Sequence, residues 1–327
     1  MLEARDTPIL FLIFNRPDTT AQVYEAMARA KPRRLFVAAD GPRAEKEGDA
    51  EKCKAAREII TRVDWDCEVK TLFREQNLGC KEAVSSAINW FFEQVEEGVI
   101  LEDDCLPSDS FFSFCTELLE KYRNDERIMM ISGDNFQDGI QRGDASYYFS
   151  RIPHIWGWST WRRAWQLYDK EMKSLPAFIQ RKAIQRVSPD VDVQNYWLSC
   201  YISTYEGAIG TWDYQWFLAI HDHDGLCICP QSNMISNIGF GEDATHTNGC
   251  NSKLSELARF DIAAISHSEQ VVADESADVY EYANQLNISC RSIANPLLRW
   301  RKRLSRRMRA KRKINAFGKR HIQIVSD

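Results

Sequence analysis

The sequence predicts an α/β fold with a mostly parallel central sheet flanked by helices. Three observations carry this. Short apolar runs alternate with longer amphipathic or charged stretches through the first hundred residues, and such alternation builds parallel sheets with right-handed crossovers. The runs are unbroken rather than period-two, as in strands buried on both faces. Each also stops at polar or turn-forming residues, at the strand ends where open sheets form their ligand crevice.

Taken in order, residues 9–14 (ILFLIF) read as the first strand, ending at Asn15-Arg16-Pro17. A helix follows over about 19–30, with Asp18 as its N-cap. Residues 35–39 form a second strand, closed by the turn signal Asp40-Gly41-Pro42. A charged helix covers roughly 45–62, a third strand 68–73 and a further helix 81–96. The fourth strand, Gly98-Val99-Ile100-Leu101, runs directly into Glu102, Asp103 and Asp104. Three adjacent carboxylates repel one another unless a cation joins them, and a hard divalent ion with oxygen ligands is their natural partner. An acidic strand end or helix cap before Pro107 is the plainer alternative.

Beyond the acids, a helix at about 108–123 and a strand at 128–132 are expected, the latter ending in Gly133-Asp134-Asn135. Residues 153–168 hold four of the ten tryptophans. Trp158, Trp161 and Trp165 are spaced as a helical stripe, which usually means core packing. Trp161 and Trp165 are assigned to the core, and Trp156 and Trp158 are candidates to line a ligand cleft with their flat rings. Asp213, between Trp212 and Trp216, either caps a helix starting at Tyr214 or serves as a base made stronger by partial desolvation. His221-Asp222-His223-Asp224 reads as a solvated loop before Gly225, since nothing nearby completes a zinc site. A strand over 226–229 turns Cys227 and Cys229 to one face as buried thiols. Residues 254–291 are polar and helical in part.

The 327 residues, 44% hydrophobic, supply a sizeable core. No signal peptide opens the chain, and no stretch reaches membrane-spanning length. The ten cysteines form no CxxC pair, so reduced thiols in a cytoplasmic protein are expected. The net charge of −5 hides an asymmetry. Residues 299–327 carry twelve Lys and Arg and one acid, leaving 30 bases and 46 acids elsewhere. Trp300, Leu304 and Met308 form one stripe on this basic stretch, the pattern of an interfacial helix on anionic lipid. A peripheral position on the inner membrane face is expected, a solvated or disordered tail being the alternative, and nucleic acid is not expected as a partner because the body is acidic and carries no known module.

The loop after the first strand lacks glycine, so neither a Rossmann fingerprint nor a P-loop is present. Arg16 is suited to a phosphate or base, and Asp40 to ring N–H groups or a ribose hydroxyl. In its order of motifs the chain resembles the metal-dependent GT-A glycosyltransferases, especially the inverting N-acetylglucosaminyltransferase I group and related bacterial family 2-like enzymes. The resemblance covers about residues 8–250. It rests on Asn15-Arg16, Asp40-Gly41, Glu102-Asp103-Asp104, Ser132-Gly133-Asp134-Asn135, Gly157-Trp158, Trp212-Asp213 and the run 236–246. It implies a Rossmann-like GT-A domain over 1–255, with a nucleotide-sugar half (1–105) and an acceptor half (106–255). A helical extension (256–298) and the basic amphipathic tail (299–327) would follow. It further implies a nucleoside-diphosphate sugar donor, UDP-linked by preference, a glycan or glycolipid acceptor, and Mn²⁺ or Mg²⁺. Asn15, Arg16 and Asp40 would bind the nucleotide, Glu102 the donor sugar and Asp103 the ribose. Asp104 would hold the metal with His246 beside it, Asp213 would be the catalytic base, Trp156 and Trp158 would stack on the acceptor, and His154 would be structural or part of the acceptor loop. A nucleotidyltransferase on a similar sheet, or a non-catalytic binding module, are the alternatives.

Overall fold

A computed structural model describes residues 3–240, 257–286, 288 and 296–322. The first four strands are β1 (Ile9–Ile13), β2 (Arg34–Ala39), β3 (Glu68–Phe73) and β4 (Glu97–Glu102). Between them lie α1 (Pro17–Ala30), α2 (Asp49–Glu58) and α3 (Cys80–Phe92). β5 (Cys105–Pro107), α4 (Phe111–Tyr122), β6 (Ile128–Ser132), β7 (Tyr147–Ser150) and β8 (Trp158–Trp161) follow. Next come short helices α5 (Arg162–Trp165), α6 (Leu175–Gln180) and α7 (Ile184–Val187), then the longer α8 (Val191–Tyr205) and α9 (Asp213–Asp222). The chain continues through β9 (Leu226–Pro230), β10 (Ile235–Asn237), α10 (Glu275–Asn284) and α11 (Pro296–His321).

Eight strands form one mostly parallel sheet in the order β3-β2-β1-β4-β8-β6-β9-β7, and β10 pairs with β5 beside it. The expected α/β class is the class observed. Alternate residues of β1 enter opposite cores. Leu10 and Leu12 pack with Phe36, Ile100 and Phe91 of α3, whereas Ile9, Phe11 and Ile13 pack with Val37, Leu101 and Met27 of α1. Both faces are therefore covered, which is why these strands are apolar throughout. From β1 the chain proceeds outward to β2 and β3, then returns to place β4 on the other flank of β1. The order reverses between β1 and β4, and a crevice opens beyond their carboxyl ends.

Several local expectations shift. α1 starts at Pro17 with Arg16 at the N-cap position, not Asp18, because proline's fixed φ suits the first helical residue. The tryptophan run is not one helical stripe. Trp158–Trp161 is the strand β8, antiparallel to both β4 and β6. On a strand, residues three apart face opposite ways, so Trp158 and Trp161 enter different cores. Trp161 and Trp165 are buried, as expected of core residues.

The stretch 221–224 is not a solvated loop throughout. His221 belongs to α9, and the Tyr201 hydroxyl of α8 lies 2.6 Å from its Nδ1 while the Arg151 carbonyl lies 2.8 Å from its Nε2. A carbonyl only accepts, so Nε2 carries the proton and Nδ1 accepts from Tyr201. Burial pushes the ring's pKa down to about 4. The unfolded chain thus takes up a proton near pH 6.5 that the folded protein refuses until about pH 4. The stability contributed by neutral His221 is complete above pH 6.5 and is lost as pH falls toward 4, on the order of 3 kcal/mol in all. Urea unfolding of the wild type and His221→Gln between pH 7.5 and 4 checks this. The wild type loses stability more steeply over that window, and parallel curves would remove His221 as the cause.

Candidate functional site

The carboxyl ends of β1, β2 and β4 converge on a cleft of ≈ 480 Å³, within the size range of small-molecule sites. Its walls include Arg16, Asp40, Asn77, Glu102, Asp103, Asp104, Trp156 and Asp213. β1 and β4 pair in register, Leu12 opposite Glu102, so the loop after β1 lies beside the acids. The Phe14 N–H donates to Asp103 Oδ2 at 2.9 Å. Arg16 Nη1 donates to Asp104 Oδ2 at 2.7 Å and lies 3.9 Å from Asp103 Oδ1. Burial, and then the negative charge of Asp104, raise Glu102 and Asp103 well above the ordinary carboxylate range, with Arg16 opposing. The Asp213 carboxylate adds to the field on Glu102. Ionised together, the carboxylates at the end of β4 would carry more negative charge than one guanidinium offsets.

A second strand pair fixes the far side of the acids. β10 runs antiparallel to β5, Asn237 opposite Cys105, and the Ile238 N–H donates to the Asp104 carbonyl at 2.8 Å. Asn237 Oδ1 accepts from the Gly239 N–H at 2.9 Å. The backbone at Gly239 passes so close that a Cβ there would sit 2.2 Å from Asp104 Oδ2. Only glycine leaves that carboxylate where it is.

The remaining sequence candidates divide. Asn15 is not on the cleft wall: its Nδ2 donates to Asp49 Oδ1 at 2.6 Å. Asp49 also takes bonds from Arg43, which hold it down at about pH 2. Asn15 thus ties the β1 loop to α2. Asp40 lines the cleft, but its carboxylate organises the loop 77–79. It accepts from the N–H groups of Leu78 (2.9 Å) and Gly79 (3.0 Å) and from Asn77 Nδ2 (3.0 Å). Trp158 is 0% exposed and stacks on Trp212 at 5.8 Å, so it supports the cleft wall from behind and presents no face to a ligand. Trp156 is half-buried on the wall, its N–H donating to Asp134 Oδ2 at 3.0 Å, with Phe240 edge-on at 5.8 Å. Asp213 is the first residue of α9, Trp212 occupying the cap position. Its Oδ1 accepts from Thr211 Oγ1 (2.6 Å) and the Tyr214 N–H (2.7 Å). His154 is buried 3.1 Å from Glu281. His246 lies outside the described residues.

Asn77, Cys80, Thr211 and Gly239 line the cleft and were not singled out from sequence. Asn77-Leu78-Gly79 follows the third strand in sequence, but nothing local reveals which carboxylate that loop will bind. Among the described residues, no group of three or more His, Cys, Asp and Glu side chains forms a ready metal site. Asp103 is held by the Phe14 N–H and Asp104 by the Arg16 guanidinium.

Gly239→Ala is expected to cost about 1–3 kcal/mol through the forced shift of Asp104. Gly210→Ala, whose Cβ meets open space, should stay within about 0.5 kcal/mol. Urea denaturation of both variants measures the contrast, and equal effects would mean the approach at Gly239 is relieved freely.

No protein-family model matches this sequence, and no curated protein matches it. Solved structures that share part of its chain course include HddC from Yersinia pseudotuberculosis, with 8% identity and a TM-score of 0.29 over 48% of this chain and 77% of that one. A cytidylyltransferase from Leptospira borgpetersenii has 12% identity and a TM-score of 0.30, over 49% and 63% of the two chains. Mouse xyloside xylosyltransferase 1 has 12% identity and a TM-score of 0.33, over 68% and 84%. Likenesses this remote leave the chemistry to be argued from the cleft.

Proposed function

We propose that this protein is a metal-dependent inverting glycosyltransferase. It would move a sugar from a nucleoside-diphosphate donor, UDP-linked by preference, to a hydroxyl of a glycan, glycolipid or surface polysaccharide. One observation carries the reading: Arg16, Asp40, Glu102, Asp103, Asp104 and Asp213, far apart in sequence, line a single cleft at the point where the strand order reverses.

The donor set suits a hard divalent ion. Asp104 offers carboxylate oxygens at the cleft wall, and a cation would let the crowded acids beside it ionise. Asp104 would hold Mn²⁺ or Mg²⁺, with other ligands coming from diphosphate oxygens and water. When bound, the ion neutralises charge that builds on the departing diphosphate. The chain's own groups do the rest. Arg16 is placed for a phosphate or the base, and Glu102 and Asp103 for donor hydroxyls. As the acceptor oxygen attacks the anomeric carbon and the bond to the diphosphate breaks, the acceptor proton passes to Asp213. Thr211 and the α9 N-terminus hold that carboxylate in one orientation. Attack from the face opposite the leaving group inverts the anomeric centre. Trp156 offers a ring face to the acceptor.

A screen of nucleoside-diphosphate sugars with Mn²⁺, read as hydrolysis or transfer, tests this. Asp104→Ala should abolish metal-dependent stabilisation by the donor in thermal unfolding. Asp213→Asn should keep donor binding while kcat falls about 10²–10⁴-fold. Release of pyrophosphate from a nucleoside triphosphate and a sugar phosphate would instead make the protein a nucleotidyltransferase. Donor binding with no turnover would make it a binding module.

A further inference from the structure

The C-terminal helix α11 uses its two sides differently. One side docks on α8. Arg303 and Arg307 pair with Asp192, the latter through Nη2 at 3.0 Å from Oδ2. Lys313 donates to Ser203, and Arg320 pairs with Glu206. Ala310 and Phe317 are buried along the same side, with Tyr205 edge-on to Phe317 at 5.2 Å. At about 100° per residue, these positions occupy one half of the helix.

The other half faces away from the protein and carries an apolar strip among its bases. Trp300 is 62% exposed, Leu304 40% and Met308 50%. They follow one another at four-residue spacing, so their side chains form a single strip. Arg301, Lys311, Arg312 and Lys319 are exposed on and beside that strip. No acidic side chain lies anywhere on α11. The docked half has already recruited Asp192 and Glu206 from the body, so the outward half keeps its excess of positive charge.

We propose that the outward half of α11 is a docking surface for an anionic phospholipid bilayer. The strip enters the headgroup region while the flanking bases meet lipid phosphates and carboxylates. Charge and composition select this occupant. The cations are complementary to an anionic leaflet, and an indole beside aliphatic side chains suits its half-apolar boundary. A nucleic acid would use the bases but leave the strip in water. Docking requires no release of the helix, because the half that holds it to α8 is the half turned from the bilayer. The inference stands apart from the donor chemistry proposed above.

The test is co-sedimentation of the full chain with vesicles of phosphatidylcholine alone or with 30 mol% phosphatidylglycerol, at low and high salt. The wild type is expected to partition onto the anionic vesicles only and to be released by salt. Arg301→Gln/Lys311→Gln/Arg312→Gln should weaken partitioning about fivefold for each base removed. Trp300→Ser/Leu304→Ser/Met308→Ser should lose binding while unfolding near the wild-type temperature, since all three are exposed. Lys54→Gln/Lys173→Gln, on other surfaces, should bind as the wild type does. Equal binding to neutral vesicles, unaltered binding of the strip variant, or binding of a DNA oligonucleotide in place of vesicles would each overturn the proposal.

Discussion

Three consecutive carboxylates at the end of a strand buried on both faces are a charge that the sheet cannot solvate. The arrangement around them follows from that constraint. β1 is held beside β4 by parallel pairing, and the residue that leaves its end is Arg16, whose guanidinium reaches Asp104 and approaches Asp103. The Phe14 N–H takes one oxygen of Asp103. These partners stop short of neutralising the site, so Glu102 and Asp103 hold their protons more tightly than usual.

The surroundings divide the remaining work between rigidity and access. Behind the cleft, Trp158, Trp165, Trp212 and Trp216 contact one another at centroid distances of 5.2 to 6.4 Å. A mass of aromatic rings this close packs with few voids and transmits little local motion. It braces Trp212, and with it the start of α9 and Asp213. In front, Trp156 and the backbone at Gly239 border the opening. The loop at 77–79 is fixed by Asp40 through backbone N–H groups, which makes Asp40 an architectural residue of the cleft as much as a candidate ligand.

Much of the site was legible before any coordinates. Runs such as ILFLI and GVIL point to strands buried on both faces, because they are too short for a helix and are bounded by turn-forming residues. The acids that end β4 then follow at the sheet's carboxyl edge. Other assignments failed where sequence spacing admits two periods. Trp158 and Trp161 suit a helix at three-residue spacing, yet pairing with β4 and β6 drew them into a strand and onto opposite faces. His221 sat among polar neighbours in sequence, but α8 and the Arg151 carbonyl enclose it.

The sequence by itself determined which segments form the parallel half of the sheet, where the acids fall, and that the C-terminal stretch is a basic amphipathic helix. Those properties are local, being written in the order of apolar and charged residues over a turn or a strand. Only the tertiary structure decided that β8 runs antiparallel between β4 and β6, that Asp40 is engaged by a loop nearly forty residues later, and that Asn15 faces Asp49 instead of the cleft. It also decided which side of α11 is consumed by Asp192 and which is left outward. Each of these is a choice of partner between distant segments. Short-range pattern does not encode such a choice, because it is settled by which pairing buries the most apolar surface while leaving every buried polar group bonded.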